Sequence, residues 1–184
     1  MPQPVWTIGH STRTLTEFLQ LLALHRVELI ADVRRYPGSR RWPQFTGPTL
    51  KKSLATAGIS YAWLPTLGGR RRPASDSLNT AWRSPMFRGY ADHMATAEFA
   101  EGLAEVESYA YGLRTCLMCA EAVWWRCHRG LVSDVLKWHG FQVCHILSLT
   151  STLVHPYTSA ARITRQGLSY TATSVNARTG SGAV

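Results

Sequence analysis

A chain of 184 residues, 45% of them hydrophobic, is long enough for one domain with a substantial core. No apolar run approaches the ~18 residues a membrane-spanning helix needs, and four irregularly spaced cysteines do not make a secreted disulfide framework. The net charge is +9, and Lys51, Lys52 and Lys137 are the only lysines among the basic residues, so the excess is guanidinium, a planar fork suited to phosphate or carboxylate.

The start, Met-Pro-Gln-Pro-Val-Trp, lacks the basic and apolar stretches of a signal peptide, which with the cysteine usage predicts a reducing cytoplasm. High-GC coding favours arginine too, so the charge by itself speaks to association and not to chemistry. Val5 to Ile8 reads as a strand ended by Gly9-His10-Ser11. Thr14 or Thr16 can then cap a helix to about His25, with Leu15, Phe18, Leu19, Leu22 and Ala23 as its apolar stripe. Glu28 to Val33 is a second strand, and Asp32 and Arg34 at its end share a face. Arg34 there either holds Asp32 ionised or binds substrate beside it.

Arg35 to Pro48 is a long loop of prolines, glycines, aromatics and arginines, expected to be ordered. A helix over Thr49 to Ala57 stops at Gly58, and Ser60 to Leu64 is a third strand. Leu67-Gly68-Gly69 and three arginines follow, a place where backbone can approach a ligand, although turns need glycines as well. Residues 74 to 93 read as irregular and folding over the site, and Tyr90 to about Tyr109 as one long helix. Arg114 to Cys119 is the fourth strand, Leu131 to His139 an amphipathic helix, and Phe141 to Ser148 the fifth strand. From Ser151 onward the composition turns to Ser, Thr, Gly and Arg, predicting an α/β domain over 1–150 and a loosely ordered extension over 151–184, with a short strand near Leu168 to Ala172.

The densest chemistry lies between the fourth strand and its helix, where Cys119, Glu121, Cys127, His128 and Arg129 fall within eleven positions. Strand alternation points Cys116 away from Cys119, which argues against a closed Cys-x-x-Cys zinc knuckle. Cys127-His128-Arg129 opens the helix, where free amides and the dipole favour an anion and lower a thiol's pKa. The cysteine-phosphatase spacing of Cys, five residues and Arg is not met: six residues separate Cys119 from Arg126, with no glycine and two tryptophans among them.

Taken together, Thr7-Ile-Gly-His-Ser11, Asp32-Val-Arg34, Leu67-Gly-Gly69, Cys119-Ala-Glu121 with Cys127-His-Arg129, and Val143-Cys-His-Ile146 resemble the family known only as domain of unknown function 488, over about residues 5 to 148. The resemblance implies a compact α/β domain with a polar cleft made by those residues, and no settled activity.

Strand and helix alternate, which predicts a three-layer α/β fold: a mostly parallel central sheet of about five strands with helices on both faces. Ligands of such sheets bind beyond the carboxyl ends of the strands, and Gly9-His10-Ser11, Asp32-Arg34, Gly68-Gly69, Cys119-Glu121 and Cys127-His128-Arg129 all follow strands. The expected function is an enzyme, a hydrolase or transferase, acting on an anionic, phosphate-bearing small molecule or nucleic acid. Glu121 or Asp32 serves as general base, and Cys127 or Cys119 as nucleophile helped by His128 or His10. Ser11, Arg34, Gly68, Gly69 and Arg129 bind substrate. Two other classes stay open. One is a non-catalytic nucleic-acid binder stacking bases on Trp42, Phe45, Trp124 or Trp125. The other is a metal site drawn from Cys119, Glu121, Cys127, His128 or His10, with an open position for water but no diagnostic ligand spacing and so no named cofactor.

Overall fold

The structure, a computed structural model, describes residues 4–172. Its centre is a six-stranded sheet built from β1 (Val5–Gly9), β2 (Leu29–Asp32), β3 (Ser60–Trp63), β4 (Thr115–Cys119), β5 (Val143–Ser148) and β6 (Ser151–Val154), in the order β3-β2-β4-β1-β5-β6. The first five are mutually parallel, and β6 turns back antiparallel along β5. Five helices connect them: α1 (Leu15–Leu24), α2 (Gly47–Thr56), α3 (Pro85–His93), α4 (Ala97–Gly112) and α5 (Arg129–Trp138). Among the described residues, no helix is long and apolar enough to cross a membrane.

The chain's direction of travel decides which face each helix covers. The connections from β1 to β2 and from β2 to β3 step one way across the sheet, those from β3 to β4 and β4 to β5 the other, and right-handed crossovers then send the helices to opposite faces. The two cores follow. Ile8, Ile30, Cys116 and Met118 pack against Phe18, Leu21 and Leu22 of α1 and Leu50 and Leu54 of α2. Val5, Ala31, Leu117 and Cys119 pack against Tyr90 of α3, Phe99, Leu103 and Val106 of α4, and Leu131 and Leu136 of α5. This is the predicted three-layer α/β fold, with Cys116 and Cys119 on opposite faces of the sheet as alternation requires.

Two expectations give way. The long helix from Tyr90 is two helices, because Thr96 takes up an extended conformation and its side chain accepts from the Phe99 N–H, starting α4 afresh. Residues 151–172 are also built into the fold. Beyond β6 come the hairpin β7 (Arg162–Thr164) and β8 (Gly167–Ser169), and then Tyr170, only 4% exposed. The remainder of the expected extension, 173–184, lies outside the described residues.

A buried chain of hydrogen bonds ties this segment to α5 and the sheet: Thr7 Oγ1 to His145 Nδ1 at 2.6 Å, His145 Nε2 to His155 Nδ1 at 2.8 Å, and His155 Nε2 to Asp134 Oδ1 at 2.9 Å. The carboxylate only accepts, so each proton has one place: His155 donates to Asp134, His145 donates to His155, and Thr7 donates to His145. Both imidazoles are satisfied while neutral. Burial, with His155 and Arg129 adding to it, pushes His145 down to about 3. An unfolded chain takes up this proton near 6.5, the folded chain only near 3, so stability rises with pH between those values and is fully present above 6.5. We expect a loss of ~1.4 kcal/mol per pH unit on acidification below that value, read from urea unfolding at several pH values. His145→Gln should flatten the dependence; an unchanged slope would assign it to other groups.

Candidate functional site

The strands β1 and β4 lie side by side, yet their following connections leave in opposite directions, so their carboxyl ends mark the sheet's switch point. That crevice is closed by backbone: the N–H groups of His10 and Ser11 donate to the carbonyls of Cys119 and Ala120, both at 2.9 Å. The open space lies beside it, on the face of α3 and α5. There a cleft of about 180 Å³ is lined by Arg34, Arg35 and Tyr36 after β2, Gly69 and Arg70 after β3, Met86 and Tyr90 of α3, Cys119 to Glu121 after β4, and Arg126 to His128 at the start of α5.

Its floor is Cys119, Cys127 and His128. The two sulfurs and an imidazole nitrogen all lie within 4.8 Å of one another, with Cys127 Sγ 3.8 Å from His128 Nδ1. His128 Nε2 is 2.9 Å from the Val33 carbonyl, an acceptor, so Nε2 carries the proton and Nδ1 presents its lone pair toward the sulfurs. Tyr90 backs the ring, with centroids 4.9 Å apart. Burial pushes the Cys127 thiol up, but the hydrogen bond from Cys119, the Arg129 guanidinium and the Arg129 backbone N–H outweigh it and bring the group down to about 7. Cys119 moves up, through its hydrogen bond to Cys127 and through burial, so Cys127 is the more readily ionised of the two thiols.

The rim is charged. Glu121 is exposed, and its carboxylate has no hydrogen bond or ion pair among the described residues. Arg70 and Arg126 are exposed beside it and likewise have no acidic partner among the described residues. Arg35 donates to the Arg70 carbonyl at 3.2 Å and lies over the Tyr36 ring.

The other expected site residues sit elsewhere. Asp32 is fully buried, held by Arg34 Nε at 2.8 Å, Arg34 Nη2 at 2.6 Å and the Tyr61 hydroxyl at 2.7 Å, so its lone pairs are used and it faces no ligand. Arg34 also donates from Nη1 to the Phe45 carbonyl at 2.7 Å and to His10 Nε2 at 3.3 Å, leaving one Nη2 hydrogen for the cleft. His10 donates from Nδ1 to the Ser11 carbonyl, stacks on Phe45 at 4.3 Å and is pushed by burial down to about 4, which makes it a positioning group for Arg34 rather than a base at the cleft. Ser11, in a left-handed conformation with φ of 46°, spends its N–H on the Ala120 carbonyl and does not line the cleft.

Gly68 is buried against Arg35, whose Cα would stand 2.7 Å from an added Cβ, and is likewise outside the cleft lining. Arg129, expected to hold substrate, is 1% exposed and donates to the carbonyls of Glu121 at 2.6 Å and Ala122 at 3.1 Å, so it folds the loop that carries Glu121. The stacking candidates Phe45 and Trp124 are core: Trp124 lies flat on His145 at 4.6 Å, whereas Trp125 is 53% exposed.

Met86 and Tyr90 belong to the 74–93 segment expected to fold over the site, and Arg35 and Arg70 to the arginine-bearing loops after β2 and β3, but neither they nor Tyr36 and Arg126 were singled out by number as site residues, although all six line the cleft.

The sequence pattern described as Domain of unknown function DUF488 matches residues 14–136, from the cap of α1 into α5, and so takes in the whole floor and rim of the cleft. No curated protein and no solved structure matches the chain. The chain belongs to the DUF488 family.

Proposed function

We propose that the protein is an enzyme, a hydrolase or transferase, acting on an anionic, phosphate-bearing substrate such as a nucleotide or nucleic acid. One observation carries this reading: a carboxylate and two guanidiniums without partners among the described residues, and a thiol–imidazole floor, converge on a single cleft. Arg70 and Arg126, with the free Arg34 hydrogen, hold the anion; guanidinium forks match phosphate oxygens. Glu121 is the general acid–base group, free to move a proton because no side chain among the described residues claims its oxygens. Cys119, Cys127 and His128 form the reactive floor, where charge on sulfur is supported by Arg129 and the start of α5.

The test is turnover of a panel of nucleotides and oligonucleotides. Glu121→Gln should lower kcat by about 10²- to 10⁴-fold and leave KM within a few-fold, the signature of a group that acts in the transition state. Arg70→Ala with Arg126→Ala should instead raise KM. Wild-type turnover in Glu121→Gln would overturn the assignment.

The exposed rings of Tyr36 and Trp125 favour a second reading, a nucleic-acid binder without chemistry. It is selected if the Glu121 and Cys127 variants bind oligonucleotides as wild type does, with affinity falling steeply in salt and no product formed.

A further inference from the structure

We propose that Cys119, Cys127 and His128 bind one zinc-type divalent cation whose fourth coordination position opens into the cleft. This rests on reading the cleft as an active site and names the cofactor of that site.

The geometry is that of three ligands around one ion. Zinc bonds of about 2.3 Å to sulfur and 2.0 Å to nitrogen, at tetrahedral angles, separate two sulfurs by ~3.8 Å and a sulfur from a nitrogen by ~3.6 Å. Cys127 Sγ and His128 Nδ1 stand 3.8 Å apart, and all three ligand atoms lie within 4.8 Å of one another, so small side-chain rotations complete the set. Among the described residues no other group of three His, Cys, Asp or Glu side chains converges in this way.

The surroundings prepare the imidazole. A metal-binding histidine ordinarily donates its other N–H to a carbonyl or carboxylate, which fixes tautomer and ring angle. His128 does so to Val33, at 2.9 Å, and its free nitrogen is the one that faces the sulfurs. Gly69 leaves that nitrogen accessible. A Cβ there would stand 2.7 Å from Nδ1 and 3.2 Å from each of the ring carbons beside it, a position over the face of the ring and not along the lone pair. The backbone therefore covers the imidazole without blocking the ion's approach.

Chemistry and charge agree with the placement. Two thiolates neutralise a divalent cation, and the soft sulfur donors with one imidazole select zinc over magnesium or calcium. Cys116 faces the other side of the sheet, so β4 contributes only Cys119, and the short turn Trp124–Arg126 returns the chain to bring Cys127 and His128 beside it. Three protein ligands and an open position are the pattern of a catalytic rather than a structural zinc. Water in that position gives one proton to Glu121, its oxygen bonds to the phosphorus of the substrate, and the departing oxygen takes that proton from Glu121 as its own bond to phosphorus breaks.

The experiment uses the untagged full-length protein, purified without metal columns or chelators from cells grown with added zinc. Elemental analysis should give about one zinc per chain. After chelator treatment, titration with cobalt(II) should produce a sulfur-to-cobalt charge-transfer band in the near ultraviolet that saturates at one equivalent. Cys127→Ser should lose both signals, while Cys116→Ser and Cys144→Ser keep them; if Cys127→Ser does not fold, the wild-type cobalt titration decides. No stoichiometric metal together with no charge-transfer band overturns the proposal. If that protein still turns over phosphate-bearing substrates, the cleft remains an active site without metal. One equivalent of metal in a protein that neither binds nor converts such substrates supports the metal site and overturns the proposed function.

Discussion

Gly9→Ala is expected to destabilise the protein by at least ~3 kcal/mol, a large share of what holds an ordinary domain folded. Gly9 is the last residue of β1, where the chain passes directly beneath the loop leaving β4. A Cβ at this position would overlap the Glu121 carbonyl oxygen and stand 2.6 Å from its carbon. Both are backbone atoms, so no side-chain rotation relieves the clash. The loop cannot simply retreat either: Arg129 Nη1 donates to that same oxygen at 2.6 Å, and His10 and Ser11 are bonded to the carbonyls of Cys119 and Ala120. Moving the loop breaks these bonds and leaves a buried guanidinium without acceptors, which is costly in a water-free interior. Urea unfolding measures the loss. A cost below ~1 kcal/mol would mean that the two loops are not zipped together in solution.

The same two loops explain how far the sequence could be read. Five parallel strands were legible because each is a short run bounded by glycine or polar residues, mostly buried and apolar in four of them and marked by aromatics in the half-exposed β3, and α1 and α5 because their apolar residues recur at helical spacing. β6 was not, since all four of its residues are exposed and an edge strand held by one neighbour leaves no alternation to read. α3 was hidden by Pro85 at its start and Gly89 within it, residues that usually break helices but here open one and let the chain pass close to Arg71.

For the cleft, strand ends led to Cys119, Glu121, Cys127 and His128, all four of which line it. Faces decided the rest. His10 lies against Phe45, on the α1–α2 side, and Asp32 spends its oxygens on Arg34 and Tyr61, whereas the cleft opens toward α3 and α5. Arg129 looked like a ligand to substrate because it is a cation at a helix start. Its guanidinium turns inward because the carbonyls of residues 121 and 122 need donors.

Asp134→Ala is the second large effect expected, about 3–5 kcal/mol, because it strands several donors at once in the interior. Asp134 is fully buried on α5. Its Oδ1 accepts from His155 Nε2 at 2.9 Å and the Thr158 N–H at 2.8 Å, and its Oδ2 from Thr158 Oγ1 at 2.6 Å and the Tyr170 hydroxyl at 2.8 Å. The composition of this segment gives it little apolar surface with which to hold itself down, so the carboxylate acts as its anchor. Hydrogen exchange should therefore quicken first at the amides of residues 155–170 in Asp134→Ala, before the sheet is exposed. Asp134→Asn keeps the volume but turns one acceptor into a donor facing donors, and should fall between the two. Because Cys127 and His128 lead directly into α5, a loosened anchor should reach the cleft and weaken the anion binding proposed for it. Unchanged protection at Thr158 and Tyr170 would mean that the packing of the hairpin, not the carboxylate, holds the segment on α5.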